Sequence, residues 1–581
     1  MRPTAPRVSR LFPPFAIAAL IAVTLALAPV AGAPAQTQRP EQGAKPVARA
    51  ASGMVSTSHP DVTAVALEVL QNGGNAVDAM LTAIPFQHVV EPQMSNLAGG
   101  MGGLIYWAET GELIYLDAEL DHTSNNPPAG QSYGSNGVPT TSGRRIGVPG
   151  TVAGLQAAAE RYGTLPWPEY FGPAIDKAAE GFEMYSFLYG EMSAAFERLG
   201  AHEATREKWL RNGFVPPVGT VIRQPRLEAT LRQLSQQGAD YFYRGAWARH
   251  FVDEVNRTGG DMTMDDLAAY QVRWVEPVSF RYREYELRGA PPASTAGVLN
   301  GMILNILENF DLEAMGHYTE SARALAILRA AYDAAESHTT RFIHDPNLAP
   351  VPVDLLLSKE YAGHIAELIE ASLPAGQRTA GSVAAAPLLA AEAAAMVGDL
   401  YGDTDTNHMV IADADGNWVS MTHTVYGDTF GTGLVVDGVG VNSGNTFPGS
   451  GQAGSRRVIT PFPALMAVDD AGAPWLAIGS PGLSSRAVAL VLINYLGYGL
   501  APEAAVDAPR FSGYGPGTPL QVESRIPETV LDGLGAYGIR VALSAPYNWH
   551  MGSIQLVVRD PATGELIGIA DPRRGGYAAG Y

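Results

Sequence analysis

Thr406-Asn407-His408-Met409-Val410-Ile411-Ala412 and Trp418-Val419-Ser420-Met421-Thr422-His423-Thr424 flank Ala414-Asp415-Gly416. Residues 408–412 and 418–425 read as strands, and the linker fits a three-residue hairpin loop with Gly416 in the left-handed position. That register sets Thr406 opposite Thr424. A two-residue Asp415-Gly416 turn would put Val425 there instead. Taken alone, a threonine pair across a hairpin is a cross-strand contact that supports a sheet.

Outward from this hairpin, residues 465–468, 475–478 and 554–558 also read as strands, most of them separated by Gly, Pro, Asp or Asn. Upstream, residues 64–81 carry apolar side chains at helical spacing around Gly73-Gly74-Asn75, which predicts two helices broken by a turn. Gly99-Gly100-Met101-Gly102-Gly103 reads as a tight loop feeding a strand at residues 104–107. It lacks both the Lys-Ser/Thr ending of a P-loop and the Rossmann glycine spacing. From residue 151 to about 397 the pattern is mainly helical, with a strand-like alternation at 282–287, and the alanine-rich stretch 379–396 reads as a helix former. The class is α/β, with a substantial sheet whose second half comes from the C-terminal portion.

The 581 residues, 46% hydrophobic and 17% charged, supply a folded body of one or two domains. Arg2, Arg7 and Arg10 precede an uncharged apolar run at 15–29, and Ala33-Pro34-Ala35 stands before Gln36, the pattern of a signal peptide over residues 1–35. Residues 36–52 read as a flexible leader, with order beginning near Gly53. The apolar run is shorter than the roughly 20 residues a membrane span needs. The expected location is therefore periplasmic or secreted, with no stable membrane insertion once the signal is removed. A net charge of -20 argues against nucleic acid as a partner. With no cysteine in the chain, thiolate catalysis and thiolate metal sites are excluded. His59, His88, His408, His423 and His550 lack metal-ligand spacing and read as packed or surface histidines, so no metal and no cofactor are expected.

Several segments, in order, resemble the gamma-glutamyltranspeptidase family: Gly53-Met54-Val55-Ser56-Thr57-Ser58-His59-Pro60, Gly73-Gly74-Asn75-Ala76-Val77-Asp78-Ala79, Val90-Glu91-Pro92-Gln93 and Gly147-Val148-Pro149-Gly150-Thr151. Gln224-Pro225, Phe242-Tyr243-Arg244-Gly245, Asp265-Asp266-Leu267, Pro291-Pro292, Gly479-Ser480-Pro481-Gly482, Asp571-Pro572-Arg573 and Ala579-Gly580-Tyr581 continue the series. The family's Thr-Thr-His cleavage motif is similar to Thr406-Asn407-His408.

The resemblance implies an N-terminal nucleophile hydrolase with a four-layer αββα fold. It implies self-cleavage between Asp405 and Thr406, giving a large subunit (53–405 after the leader) and a small subunit (406–581) that form a heterodimer. Thr406 becomes the nucleophile and, through its freed amine with a pKa of about 8, its own base. Thr424 matches the threonine that orients the nucleophile. Gly482 and Leu483 match the Gly-Gly whose N–H groups make the oxyanion hole, Leu483 being a departure that leaves the N–H in place. Read alone, Ser480-Pro481-Gly482 is an ordinary turn.

The acyl-recognition positions depart further. Glu119 stands where glutathione-using members hold the glutamyl carboxylate with an arginine, and a carboxylate there is expected to repel that group. Thr446, in Asn442-Ser443-Gly444-Asn445-Thr446-Phe447, replaces the acid that grips the α-amino group. Ile459-Thr460 takes the place of a Ser-Ser pair. Ser443 and Thr460 complete the expected acyl-binding set. The short segment between Phe447 and Val458 lacks the longer lid loop of many members.

The expected activity is thus amide hydrolysis or acyl transfer on a small-molecule or peptide amide, gamma-glutamyl or related, with an altered acyl group that is uncharged or bears an amine for Glu119. Two alternatives stand beside it: an acylase of the same family acting on a bulkier non-glutamyl amide, and a catalytically silent binding homologue. A serine hydrolase finds no Gly-x-Ser-x-Gly elbow.

Overall fold

The computed structural model describes residues 41–125, 138–373, 405–446, 456–481, 484–513 and 518–581. The expected signal peptide, the alanine-rich stretch 379–396, the lid segment 447–455, and Gly482 and Leu483 lie outside the described residues.

The hairpin forms with the three-residue loop. Asn407 pairs with His423 and Ala412 with Trp418. Gly416 takes φ 90°, the left-handed region that favours glycine. Asp413 sets this loop length: its carboxylate accepts the N–H groups of Asp415 at 3.0 Å and Asn417 at 2.9 Å.

Two seven-stranded sheets are built around this hairpin. The first runs Tyr577–Gly580, Met54–Thr57, Asn407–Ala412, Trp418–Thr424, Gly100–Trp107, Glu112–Ala118 and Arg273–Val275. The second runs Ala48–Ala50, Leu566–Ala570, Gln555–Arg559, Pro474–Gly479, Leu465–Val468, Tyr285–Gly289 and Val278–Tyr282. Both mix strands from either side of Asp405.

Alternation along the strands makes the layers. Met409, Ile411, Val419 and Met421 join a core with the helices Pro60–Gln71 and Ala76–Val90. Val410, Ala412 and Trp418 turn the other way, against Met466, Ala477 and Val557 of the second sheet. The outer face of the second sheet packs on the helices Ala296–Leu307 and Ala322–Phe342. The result is the αββα sandwich, and burial of both faces accounts for the unbroken apolar run Met409–Ala412, while the polar Ser420, Thr422 and His423 of the facing strand are buried with hydrogen-bond partners. The two helices expected around Gly73-Gly74-Asn75 are present, the second opened by a capping box between Asn75 and Asp78. Among the described residues no helix is long and apolar enough to cross a membrane.

Three expectations need correction. The glycine-rich stretch is strand and not a loop: Gly100–Trp107 pairs on both sides. Its glycines permit close approach, since a Cβ on Gly103 would lie 2.2 Å from the Ser420 carbonyl oxygen. The alternation at 282–287 spans two strands, Val278–Tyr282 and Tyr285–Gly289, with Arg283 at φ 53° in the turn between them. Part of the expected flexible leader is also strand, because Ala48–Ala50 pairs with Leu566–Ala570.

Candidate active site

The hairpin register carried one step past Asn407 sets Thr406 level with Thr424. Thr424 pairs with Gly100, and one step past Met101–Ala118 sets Gly100 level with Glu119. Thr406, Thr424, Gly100 and Glu119 therefore form a row across four adjacent strands. Directly opposed residues share a face, here the one turned to the second sheet.

At one end of the row, Thr406 Oγ1 donates to Thr424 Oγ1 at 3.2 Å and also contacts the Asp405 carbonyl oxygen. Thr424 Oγ1 donates to that same carbonyl at 2.6 Å and accepts the Tyr426 N–H at 3.0 Å. The carbonyl of Asp405, one residue before Thr406, is thus met by two hydroxyls. Arg574 anchors the other side of Thr406, with Nη1 donating to its carbonyl at 2.8 Å.

Arg574 is enclosed, and its Nη2 meets Glu91 and the Asn407 side chain, each at 2.9 Å. Ser58 donates to both Glu91 and Asn407 at 2.8 Å, and Asn407 donates to Ser95 at 3.0 Å. This buried net fixes the main chain at Thr406. Gln87 extends it, donating to Glu91 at 2.6 Å and accepting from His423 Nε2 at 2.9 Å. His423 Nδ1 is left to accept from His88 Nε2 at 3.3 Å.

The histidines are neutral braces. Burial, then the Arg574 charge, pushes His423 down to about 3. Burial, then His423, takes His408 to about 3 as well, and His88 also falls well below its ordinary value. Imidazoles this weakly basic are poor proton acceptors at neutral pH. His408 bridges Thr422 and Ser420 at 2.8 and 3.1 Å, and Ser420 donates across to Ile478 of the second sheet. A Cβ on Gly479 would fall 2.1 Å from the His408 ring, so the Pro474–Gly479 strand ends against the strand that follows Thr406. Pro481 is the last described residue before Gly482 and Leu483.

At the other end of the row, Glu119 is 1% exposed. Tyr115 donates to its Oε1 at 2.8 Å and Thr460 is hydrogen-bonded to its Oε2. Burial, reinforced by the charge of Asp117, pushes its carboxyl up to about 8, which favours the neutral acid. This changes the expected repulsion of a substrate carboxylate into a simple loss of attraction. Nor is Glu119 placed to meet an amine, since both oxygens are engaged inside the protein. The arginine nearest to it, Arg457, is fully buried between Asp117 at 3.3 Å and Asp121 at 3.4 Å.

Of the other expected acyl-binding residues, Thr460 joins Glu119 directly. Ser443 is buried, and its hydroxyl has no hydrogen-bond partner among the described residues. Thr446 closes the short turn Gly444–Thr446, and its side chain lies outside what is described. Asn442, quoted only as context, locks this segment: its side chain donates to Ala98 and Gly147 carbonyls at 2.7 and 3.0 Å.

Sequence reasoning missed Tyr426 and Arg574. Tyr426 fills the gap left by Gly100, where a Cβ would lie 2.6 Å from its hydroxyl, and it adopts φ 61°. With Leu120, Val458 and Phe462 it forms a small apolar cluster beside Glu119. A tyrosine just before Gly427, two residues past Thr424, was the available signal. Arg574 directly follows the Asp571-Pro572-Arg573 motif. Among the described residues no group of three His, Asp or Glu side chains could hold a metal ion.

The family model "Gamma-glutamyltranspeptidase" matches residues 62–581. The chain is 32% identical over 553 residues to the glutathione hydrolase proenzyme of Escherichia coli, covering 90% of this chain and 91% of that one. It is 31% identical over 547 residues to the acylase ACY 1 proenzyme of a Pseudomonas strain, covering 91% and 94%. The crystal structure of cephalosporin acylase from Bacillus halodurans superposes with a TM-score of 0.78 at 25% identity, covering 95% of this chain and 98% of that one. With the sandwich and the matched sequence in agreement, the chain belongs to the gamma-glutamyltranspeptidase family of N-terminal nucleophile amidohydrolases.

Proposed function

We propose that this chain is an exported proenzyme that cleaves itself before Thr406 and then hydrolyses or transfers the acyl group of an amide other than gamma-glutamyl. The single observation behind the catalytic part is the Thr424 hydroxyl bonded to the Asp405 carbonyl at 2.6 Å, beside Thr406 Oγ1. Attack of Thr406 Oγ on the Asp405 carbonyl carbon moves negative charge onto the oxygen that Thr424 already contacts. The C–N bond then breaks, the nitrogen takes a proton, and water opens the resulting ester to leave Asp405 as a carboxylate.

The freed amine of Thr406 becomes the base. Arg574, bonded to the carbonyl of the same residue, disfavours a second positive charge there and helps keep the amine unprotonated. Thr406 Oγ attacks the substrate amide, its proton passes to the amine and on to the leaving nitrogen, and an acyl-enzyme forms. Water or an incoming amine releases the acyl group. The backbone N–H groups of Gly482 and Leu483 serve as the oxyanion hole in this reading. The two chains stay together as a heterodimer because the small-subunit hairpin lies between the large-subunit strands Met54–Thr57 and Gly100–Trp107 within one sheet.

The acyl assignment rests on Glu119, which favours the neutral acid and is inward-tied, and on Arg457, which is enclosed by two aspartates. Neither offers the bidentate cation that a glutamyl carboxylate uses. Tyr426, Leu120 and Phe462 favour an apolar acyl chain instead. Steady-state rates on gamma-glutamyl-p-nitroanilide and on p-nitroanilides of neutral apolar acids test this. The reading expects higher kcat/KM on the apolar series, and selective gamma-glutamyl turnover would overturn it.

A further inference from the structure

A cavity of about 240 Å³ opens at the start of the helix Pro225–Gln237, and no residue of the Thr406 row or of the Arg574 net lines it. One wall is Gly438, which at φ 87° brings its backbone onto the first helical turn: a Cβ there would lie 2.3 Å from the Leu227 nitrogen. The Gly438 carbonyl accepts from the Lys208 ammonium at 2.5 Å. Burial, with no carboxylate to offset it, lowers that ammonium to about 7, so an anion arriving beside it would restore its charge.

The two acids of the cavity already have cationic partners, Glu207 with Arg226 at 3.3 Å and Asp437 with His250 at 2.9 Å. Arg211 and Arg223 line it too, are exposed, and make no ion pair or side-chain hydrogen bond among the described residues. The helix start adds to this surplus of positive charge, since its N-cap, Gln224, makes no side-chain capping bond. Gln224 also supplies a different demand. It is 2% exposed, its Nε2 donates to the Val89 carbonyl at 2.8 Å, and its Oε1 is left buried without a partner. A buried acceptor calls for a hydrogen-bond donor, which a bare anion does not bring. Both acids being engaged, the charges favour a neutral N–H over an ammonium.

We propose that this cavity binds an apolar residue that ends in a free carboxylate and carries an amide N–H, as at the C-terminus of a peptide or in an N-acylated amino acid. Arg211, Arg223 and Lys208 take the carboxylate, Gln224 Oε1 takes the amide N–H, and Leu227 and Val435 receive the side chain. An adjoining groove of about 620 Å³ shares Arg226, Val435 and Asp437 with the cavity and gives the preceding residues of a peptide a path. The site needs neither self-cleavage nor turnover, so it stands apart from the Thr406 reading.

Isothermal calorimetry of N-acetyl-leucine with the full chain tests the site. Saturable binding is expected, the same in wild type and in Thr406→Ala. N-acetyl-leucinamide, which lacks the carboxylate, and 4-methylpentanoate, which lacks the amide N–H, should each bind about tenfold or more weakly. Arg211→Gln combined with Arg223→Gln should weaken N-acetyl-leucine by at least about the same factor while the melting temperature stays that of the wild type. Tighter binding of an acetylated tripeptide ending in leucine would identify a peptide as the source of the ligand, and equal binding the single N-acylated residue. No saturable binding to the folded wild type, equal affinity in the double variant, or equal binding of N-acetyl-leucinamide would overturn the site.

Discussion

The Thr424 hydroxyl donates to the carbonyl oxygen of Asp405 at 2.6 Å. A residue expected to orient the nucleophile is thus also a donor to the carbonyl of the bond at which self-cleavage is proposed. Removing one donor from such an oxygen costs about 100- to 1000-fold in rate. Thr424→Ala should slow self-cleavage by that order, while Thr424→Ser, which keeps the hydroxyl, should process at a rate closer to wild type. A time course on denaturing gels reads both. Normal cleavage in Thr424→Ala would remove Thr424 from the step.

Glu119 predicts a pH dependence of stability. Burial and the charge of Asp117 raise its carboxyl from 4.5 to about 8, so between these values the folded chain holds a proton that the unfolded chain has released. The raised value means the contribution is full below the unfolded pKa and is lost as pH rises through about 8. Glu119→Gln, which has no proton to lose, should show a smaller fall in denaturant midpoint between about pH 6 and about pH 9. An unchanged fall would mean that Glu119 is charged throughout.

Arg574 and Glu91 are both buried and 2.9 Å apart. Truncating one member of such a pair strands the other charge, at about 3–5 kcal/mol. Arg574→Met should lower the urea midpoint accordingly and slow processing, because the Thr406 carbonyl loses its anchor. Adding Glu91→Gln should recover part of the stability but not the processing rate. Recovery of both would make Arg574 a purely structural residue.

Local chemistry made the hairpin legible: alternation, the Asp413 turn and Gly416 lie within one short stretch and fix the Thr406–Thr424 register among themselves. The glycine-rich strand was misread because its cause is remote. Ser420 and Tyr426, more than three hundred residues away, crowd the space where side chains would stand. The charge state of Glu119 was equally hidden, since it depends on Tyr115, Asp117 and Thr460 meeting around a buried carboxyl. Family motifs pointed to Thr406, yet Arg574 escaped notice although it stands next to one of them. Its role is visible only when the C-terminal strand is paired beside Met54–Thr57.

Intact-mass spectrometry of the purified protein, before and after incubation with an apolar acyl p-nitroanilide, tests the central claim most directly. The account predicts two chains, the smaller with the mass of residues 406–581 and gaining one acyl group in a rapidly quenched sample. It also predicts a single uncut chain with no adduct for Thr406→Ala. A wild-type chain that stays whole, or an adduct on any residue other than Thr406, would contradict it.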